Sequence, residues 1–342
     1  MGECIRLQES AFRSLSTGDA YSSDNAWLRM EEFGGWIKLL AGCITSQEVA
    51  GVKALARNPG LPSGGNLVGL VLLYDARKNQ LLAIMDAVHI TAVRTGAGGG
   101  LAARYLARRD ARVVGVLGSG VQARMNLEAL VLEYPELTDA RVYSRTEANR
   151  NAFIGEMEAR TGLTIAGCDD PEAAVKGADI VVTATNSSTP VLQRSWLRPG
   201  TCILMMGIKT EVAPECFAGG KIVVDDIDIA VADGKIAGAV KTGRLAHEDI
   251  HADLASVVRA AKPGRVADDE ITFFDSSGVA AQDIVCASYC YHRAKEVGLG
   301  LDVVLEGSVG HGHQGAAEPD LRSAPSSRSG PSGRGRGGGY ET

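Results

Sequence analysis

Between Val113 and Leu130 the chain reads VVGVLGSGVQARMNLEAL, an apolar run, a glycine turn and a helical pattern in immediate succession. A strand, then Gly118-x-Gly120-x-x-Ala123, then a helix is the opening of a dinucleotide-binding β-α-β unit. Gly118 permits the tight turn, Gly120 lets a pyrophosphate approach the backbone, and Ala123 lets the helix lie close on its strand. Val121 and Gln122 open the helix, whose N-terminal N–H groups carry partial positive charge. Further units follow: NLEALVLEY as helix, ARVYSR as strand, NAFIGEMEARTG as helix, GADIVVTATNSS as strand and loop, then the strands TCILMMGI and KIVVDD. Nearly continuous apolar strands alternating with helices predict a parallel sheet covered on both faces. The expected class is α/β, with a doubly wound Rossmann sheet.

The end of the second strand selects the dinucleotide. An NAD-binding chain usually places Asp or Glu there for the ribose hydroxyls. Here the candidates are Ser144, Arg145 and Thr146. Two hydroxyls and a guanidinium suit a 2′-phosphate, so NADP(H) is favoured and NAD(H) possible.

Outside this region the patterns differ. Val68–Asp75 and Gln80–Val88 are apolar runs joined by the polar link ARKN, which reads as a hairpin. From Thr91, TAVRTGAGGGLAARYLAR has helical spacing, and a close helix contact would explain Gly98, Gly99 and Gly100. ITFFDSSGVAAQDIVCASYCYHRAKEVGLG reads as a strand, a turn and a long helix. His247-Glu248-Asp249-Ile250-His251 matches the zincin pattern, but no third ligand follows and apolar residues flank His251, so structural histidines are expected. From Gly307 the composition is rich in Gly, Ser and Pro, which predicts a disordered tail over 307–342.

The 342 residues are enough for two domains. A net charge of −6 argues against a nucleic-acid partner, and the absence of a long apolar run argues against a membrane span. No leader segment is visible, and seven widely spaced cysteines without C-x-x-C read as free thiols in a cytoplasmic protein.

GVK at Gly51–Lys53, LVLLYD, AIMDAVHITAVRTGAGGGLAARYLAR, VVGVLGSGVQA, ADIVVTATNSSTPVL, KIVVDD and DEITFFDSSGVAAQD occur in this order across residues 3–305. In these pieces the chain resembles the ornithine cyclodeaminase/mu-crystallin family, which includes archaeal-type alanine dehydrogenases and ketimine reductases. The resemblance implies a homodimer of two-domain subunits. Residues 1–110 with about 284–306 would form the substrate and dimerisation domain, and 111–283 the inserted Rossmann domain. It also implies hydride transfer between a nicotinamide and the α-carbon of an imino or amino acid. Lys53 matches the lysine that contacts the substrate carboxylate and polarises the imine, and Arg94 the arginine that pairs with that carboxylate. Thr95 falls near the cofactor phosphates, Thr185 and Ser276 along the nicotinamide ribose and ring, and Lys209 on the cofactor side.

Two departures stand out. A second carboxylate-binding arginine is expected where this chain has Asn25, with Arg29 as a substitute. The cyclodeaminases place a catalytic aspartate shortly before KTE, but MMGIKTE runs directly into Lys209 without one. Ring closure with loss of ammonia needs an acid–base group beside the α-amino nitrogen. The leading expectation is therefore an NADP-dependent oxidoreductase that reduces ketimines or interconverts imino and amino acids. The alternatives are an ornithine or lysine cyclodeaminase served from elsewhere, such as Glu211, and a non-catalytic crystallin-like protein that binds NADPH or a small ligand.

Overall fold

The computed structural model describes residues 1–61 and 65–303. Helix α1 (Gly2–Thr17) leads into six strands, β1 (Ala20–Ser22), β2 (Ala26–Met30), β3 (Gly35–Ile44), β4 (Val49–Arg57), β5 (Val68–Asp75) and β6 (Gln80–Asp86). They form an antiparallel sheet in the order β1-β3-β4-β5-β6, with β2 also paired to β3. The expected hairpin is β5–β6, but its second strand stops at Asp86 rather than Val88. The Asp86 carboxylate accepts from the N–H groups of Val88 (2.9 Å) and His89 (3.3 Å), and so starts helix α2 (Ala87–Leu106) before the predicted Thr91.

Eight parallel strands follow: β7 (Val113–Leu117), β8 (Asp139–Tyr143), β9 (Thr164–Cys168), β10 (Ile180–Thr183), β11 (Cys202–Met205), β12 (Lys221–Val224), β13 (Ile250–Asp253) and β14 (Thr272–Asp275). Between them run α3 (Val121–Glu133), α4 (Glu147–Thr161), α5 (Pro171–Val175), α6 (Ile227–Asp233), α7 (Ala237–Lys241) and α8 (Leu254–Val258), and α9 (Ala280–Glu296) ends the series. The sheet order is β13-β12-β14-β11-β10-β7-β8-β9. Chain direction across the sheet reverses between β7 and β10, so the loops at their carboxyl ends diverge and leave a crevice. This is the doubly wound sheet that the β-α alternation predicts. His247 lies in a 3-10 turn and His251 in β13, so the two histidines share no helix face.

Two packing features position the site. α9 lies on the inner face of the antiparallel sheet, where Leu40, Ile44, Val71 and Leu73 meet Ala281, Ile284 and Val285 in one core. α2 lies against α3 at the closest approach glycine allows. A Cβ on Gly96 would stand 2.5 Å from the Met125 backbone, and one on Gly100 2.8 Å from the Ala129 Cβ. The glycine run is thus a helix contact. All these elements fall within Met1–Gly298. Among the described residues no helix is long and apolar enough to cross a membrane. The expected tail over 307–342 lies outside the described residues.

Candidate active site

The carboxyl ends of β7, β10, β11 and β14 open onto a cleft of about 590 Å³. Gly118 ends β7 with φ 108°, and a Cβ there would stand 2.4 Å from the Ala184 carbonyl oxygen, so the turn requires glycine. Gly120 caps α3, and a Cβ on it would meet nothing within 4 Å. With Val121 and Gln122 it lines the cleft, while Ala123 is buried in the core beneath. Gln122 Oε1 and Thr91 Oγ1, both on cleft-lining residues, are buried without a hydrogen-bond partner. Polar atoms in that condition are ready for a ligand. An open glycine turn at a helix N-terminus, with orphaned acceptors beside it, fits a nicotinamide dinucleotide.

Thr185 lines the same cleft after β10. Its N–H donates to the Glu211 carboxylate, which also accepts from Thr183 Oγ1 at 3.2 Å. Glu211 is wholly buried and its pKa is raised by that burial. It braces the loop from behind and is not among the cleft-lining residues. Ser144, Arg145 and Thr146 lie just after β8, away from the cleft lining. Ser144 Oγ is 2.8 Å from Ser119 Oγ, Arg145 is exposed, and Thr146 Oγ1 accepts from Asn149 Nδ2 at 2.8 Å.

A buried ionic cluster stands at the other wall. Lys53, on β4, is 1 % exposed, and its Nζ lies 2.6 Å from Asp283 Oδ2. Arg94, on α2, donates from Nε to Asp283 Oδ1 at 2.9 Å and from Nη1 to Gln282 Oε1 at 3.1 Å. One carboxylate in the first turn of α9 therefore bridges two cations. Burial pushes the Lys53 pKa down to about 7, and repulsion from Arg94 adds to this against the attraction of Asp283. Arg94 and Thr95 line the cleft, whereas Lys53 and Asp283 do not. Gln8 on α1 anchors the α9 turn, donating to the Gln282 carbonyl at 3.2 Å. Sequence reasoning missed Asp283 and Gln282, since an acid near a helix start reads as a partner of the helix dipole.

The inner face of β2 and β3 supplies further residues that sequence reasoning missed. Lys38 donates to the Ser277 carbonyl at 3.3 Å, and its Nζ lies 5.0 Å over the Trp27 ring. Burial lowers its pKa to about 8, against the pull of Asp233. Trp27 Nε1 donates to Asp233 Oδ2 at 2.9 Å, and Lys209 pairs with the same carboxylate. Lys209 and Ser276 both line the cleft. Buried Asp225 and Asp275 secure the loop that carries Ser276, accepting from the N–H groups of Gly278 and Ile236. Burial raises Asp225 to about 6, with Asp275 adding repulsion. Neither Asn25 nor Arg29 lines the cleft. Arg29 is exposed, with its guanidinium 5.1 Å from the Trp27 ring centroid, and both amide atoms of Asn25 are buried without a partner.

Comparison with known proteins agrees with this geometry. The model of the ornithine cyclodeaminase/mu-crystallin family matches residues 1–298. Alanine dehydrogenase of Archaeoglobus fulgidus is 34 % identical over 309 residues, covering 89 % of this chain and 94 % of that protein. The structure of Thermococcus litoralis Δ1-pyrroline-2-carboxylate reductase in complex with NADH and L-proline is 33 % identical. It superposes with a TM-score of 0.84, covering 89 % of this chain and 96 % of its own. An archaeal alanine dehydrogenase dimer with bound NAD, also 33 % identical, superposes at 0.83 over 89 % of this chain and 94 % of its own. These relatives are nicotinamide-dependent oxidoreductases of amino and imino acids. On the sequence match over residues 1–298 and on the shared fold, the chain belongs to the ornithine cyclodeaminase/mu-crystallin family.

Proposed function

We propose that this chain is an oxidoreductase that moves a hydride between a nicotinamide dinucleotide and the α-carbon of an α-imino or α-amino acid. The observation that carries the reading is the facing of two features across one cleft: the open Gly120–Gln122 turn, and the Arg94 side of the Lys53–Asp283–Arg94 cluster. The nicotinamide, when bound, supplies or accepts the hydride. Arg94 receives the substrate carboxylate with the donors its bonds to α9 leave over. An anion there offsets the charge that repels Lys53, and so keeps the Lys53 ammonium protonated. A protonated Lys53 polarises the imine. Thr95 and Lys209 serve the cofactor, with Thr185 and Ser276 on the nicotinamide side.

NADP(H) is the favoured cofactor in this reading. Arg145 is exposed beside Ser144 and Thr146, and no carboxylate stands among the three. The proposed division sets residues 1–110 with about 284–306 against residues 111–283, and the packing of α9 (Ala280–Glu296) on the antiparallel sheet supports joining the last helix to the first part. The homodimer is supported by the outer face of that sheet, where Leu28, Leu39, Val68, Leu70 and Ile84 are 40–57 % exposed. Strand register sets these residues on one side of the sheet. An apolar patch of that kind marks an interface. Cysteines present as thiols fit a cytoplasmic setting.

The charge of the cleft separates this reading from cyclodeaminase activity. Among the described residues, Lys38, Arg57, Arg94, Lys209 and Lys235 line it against one carboxylate, Asp233. A second ammonium on ornithine or lysine enters that field at a cost. The test is NADPH oxidation against cyclic imines and against α-keto acids with ammonium. Turnover with an imine and no ammonia release from ornithine is the expected outcome. Efficient cyclisation of ornithine or lysine contradicts the reading.

A further inference from the structure

An α-imino acid carries a carboxylate at one end and, once protonated, a cationic nitrogen beside it. A site that selects this class over α-keto or α-hydroxy acids needs an anion for the nitrogen as well as cations for the carboxylate. The cations are plentiful. Of the described residues that line the cleft, Asp233 alone is anionic. We propose that Asp233 receives the charged nitrogen of the substrate, so that the cleft selects α-imino and α-amino acids over oxygen analogues with the same carboxylate. This rests on the reaction class proposed above and adds a residue to it.

Three observations support the assignment. First, Asp233 is held in place from the opposite wall, since Trp27 Nε1 on β2 donates to its Oδ2 at 2.9 Å. Trp27 is itself fixed by an edge-on contact with Trp36, ring centroids 5.2 Å apart. The carboxylate is thus aimed by residues of the antiparallel sheet. Second, its ion pair with Lys209 is solvent-exposed. Lys209 is 45 % exposed at its side chain, and a pair with so exposed a lysine is weak enough for an incoming cation to displace. Third, helix stability does not account for the residue. Asp233 is the last residue of α6, where a negative charge opposes the helix dipole.

The placement also answers the missing aspartate of MMGIKTE. No carboxylate stands in the four residues before Lys209, but one reaches Lys209 in space from α6. Sequence spacing gave no sign of this, because Asp233 lies beyond a further strand of the sheet, β12.

The experiment is calorimetric titration of the full chain, saturated with NADH, using two pairs of inert probes. L-proline is set against tetrahydrofuran-2-carboxylate, and L-alanine against L-lactate. Each pair shares a carboxylate and differs in the charged nitrogen. A hydrogen bond between charged groups predicts that wild type prefers the amine by about ten-fold or more in at least one pair. Asp233→Asn should bring that preference close to unity, and Asp233→Glu should retain part of it. Affinity for the oxygen analogues, which report on Arg94, should stay unchanged. An undiminished amine preference in Asp233→Asn overturns the proposal, and so does equal affinity within both pairs in wild type. NADPH oxidation by wild type judges the reaction class separately, so the two failures are distinguishable.

Discussion

At the scale of single residues, the cluster around Asp283 governs the chemistry. Lys53 must be an ammonium to polarise an imine, and in the free protein its pKa stands near 7. The kcat/KM for imine reduction should therefore fall as pH rises through about 7. Asp283 pulls that pKa up, so Asp283→Asn should move the decline to lower pH, a shift visible in a pH–rate profile. Unchanged profiles would remove Lys53 from the reaction. Arg94→Ala should chiefly raise KM, because the carboxylate is bound in ground and transition states alike. Lys53→Met should lower kcat by about 10²–10⁴-fold. On the cofactor side, NADPH should bind about ten-fold more tightly than NADH, and Arg145→Ala should erase most of that difference in a fluorescence titration. A preference for NADH would reverse the reading of Ser144–Thr146. The glycine turn was legible because its residues are contiguous and each has a geometric duty. Asp283 and Asp233 were not, because only the folded chain brings α9 to Arg94 and α6 to Trp27.

At the scale of elements, period and turn chemistry placed β5–β8, β10–β12 and β14 with helices α2, α3, α4 and α9, while β1–β4, β9 and β13 went unread. The hairpin β5–β6 and the strands β7, β8, β10 and β11 follow directly from apolar runs bounded by polar or glycine turns. Boundaries moved where a side chain intervened, as Asp86 does by capping α2. The segment between Asp226 and Ile271 reads as mostly helical, yet β13 forms within it, because pairing with β12 outweighs a short local preference. The glycines of α2 record its contact with α3. Gly96→Ala would press a Cβ against the Met125 backbone at 2.5 Å and should destabilise by about 1–3 kcal/mol in chemical denaturation. Gly155→Ala, on the exposed face of α4 with nothing within 4 Å of the new Cβ, should stabilise by about 0.5–1 kcal/mol. Equal effects from the two substitutions would show that helix propensity, not helix contact, controls α2.

At the scale of the whole molecule, the fold sets two different walls against each other. A parallel sheet offers an open glycine turn and the orphaned Gln122 acceptor. An antiparallel sheet, braced by α9, offers buried cations. The outer face of the second sheet is left apolar, and it should pair two copies. Wild type should sediment as a dimer at micromolar concentration, and Leu39→Lys with Leu70→Lys should shift it to monomer, by placing charges in the centre of that face. A monomeric wild type would refute the interface. The central claim is that the hydride crosses the cleft to the α-carbon of an imino acid. It is tested most directly by reducing Δ1-pyrroline-2-carboxylate with NADPH deuterated at C4 of the nicotinamide, one face at a time, and locating the label by mass spectrometry and NMR. One deuterium at the α-carbon of proline, from one face only and with one NADPH consumed per proline, is the predicted result. No label in proline from either face, or proline formed from ornithine with ammonia release and no net NADPH consumption, would contradict the account.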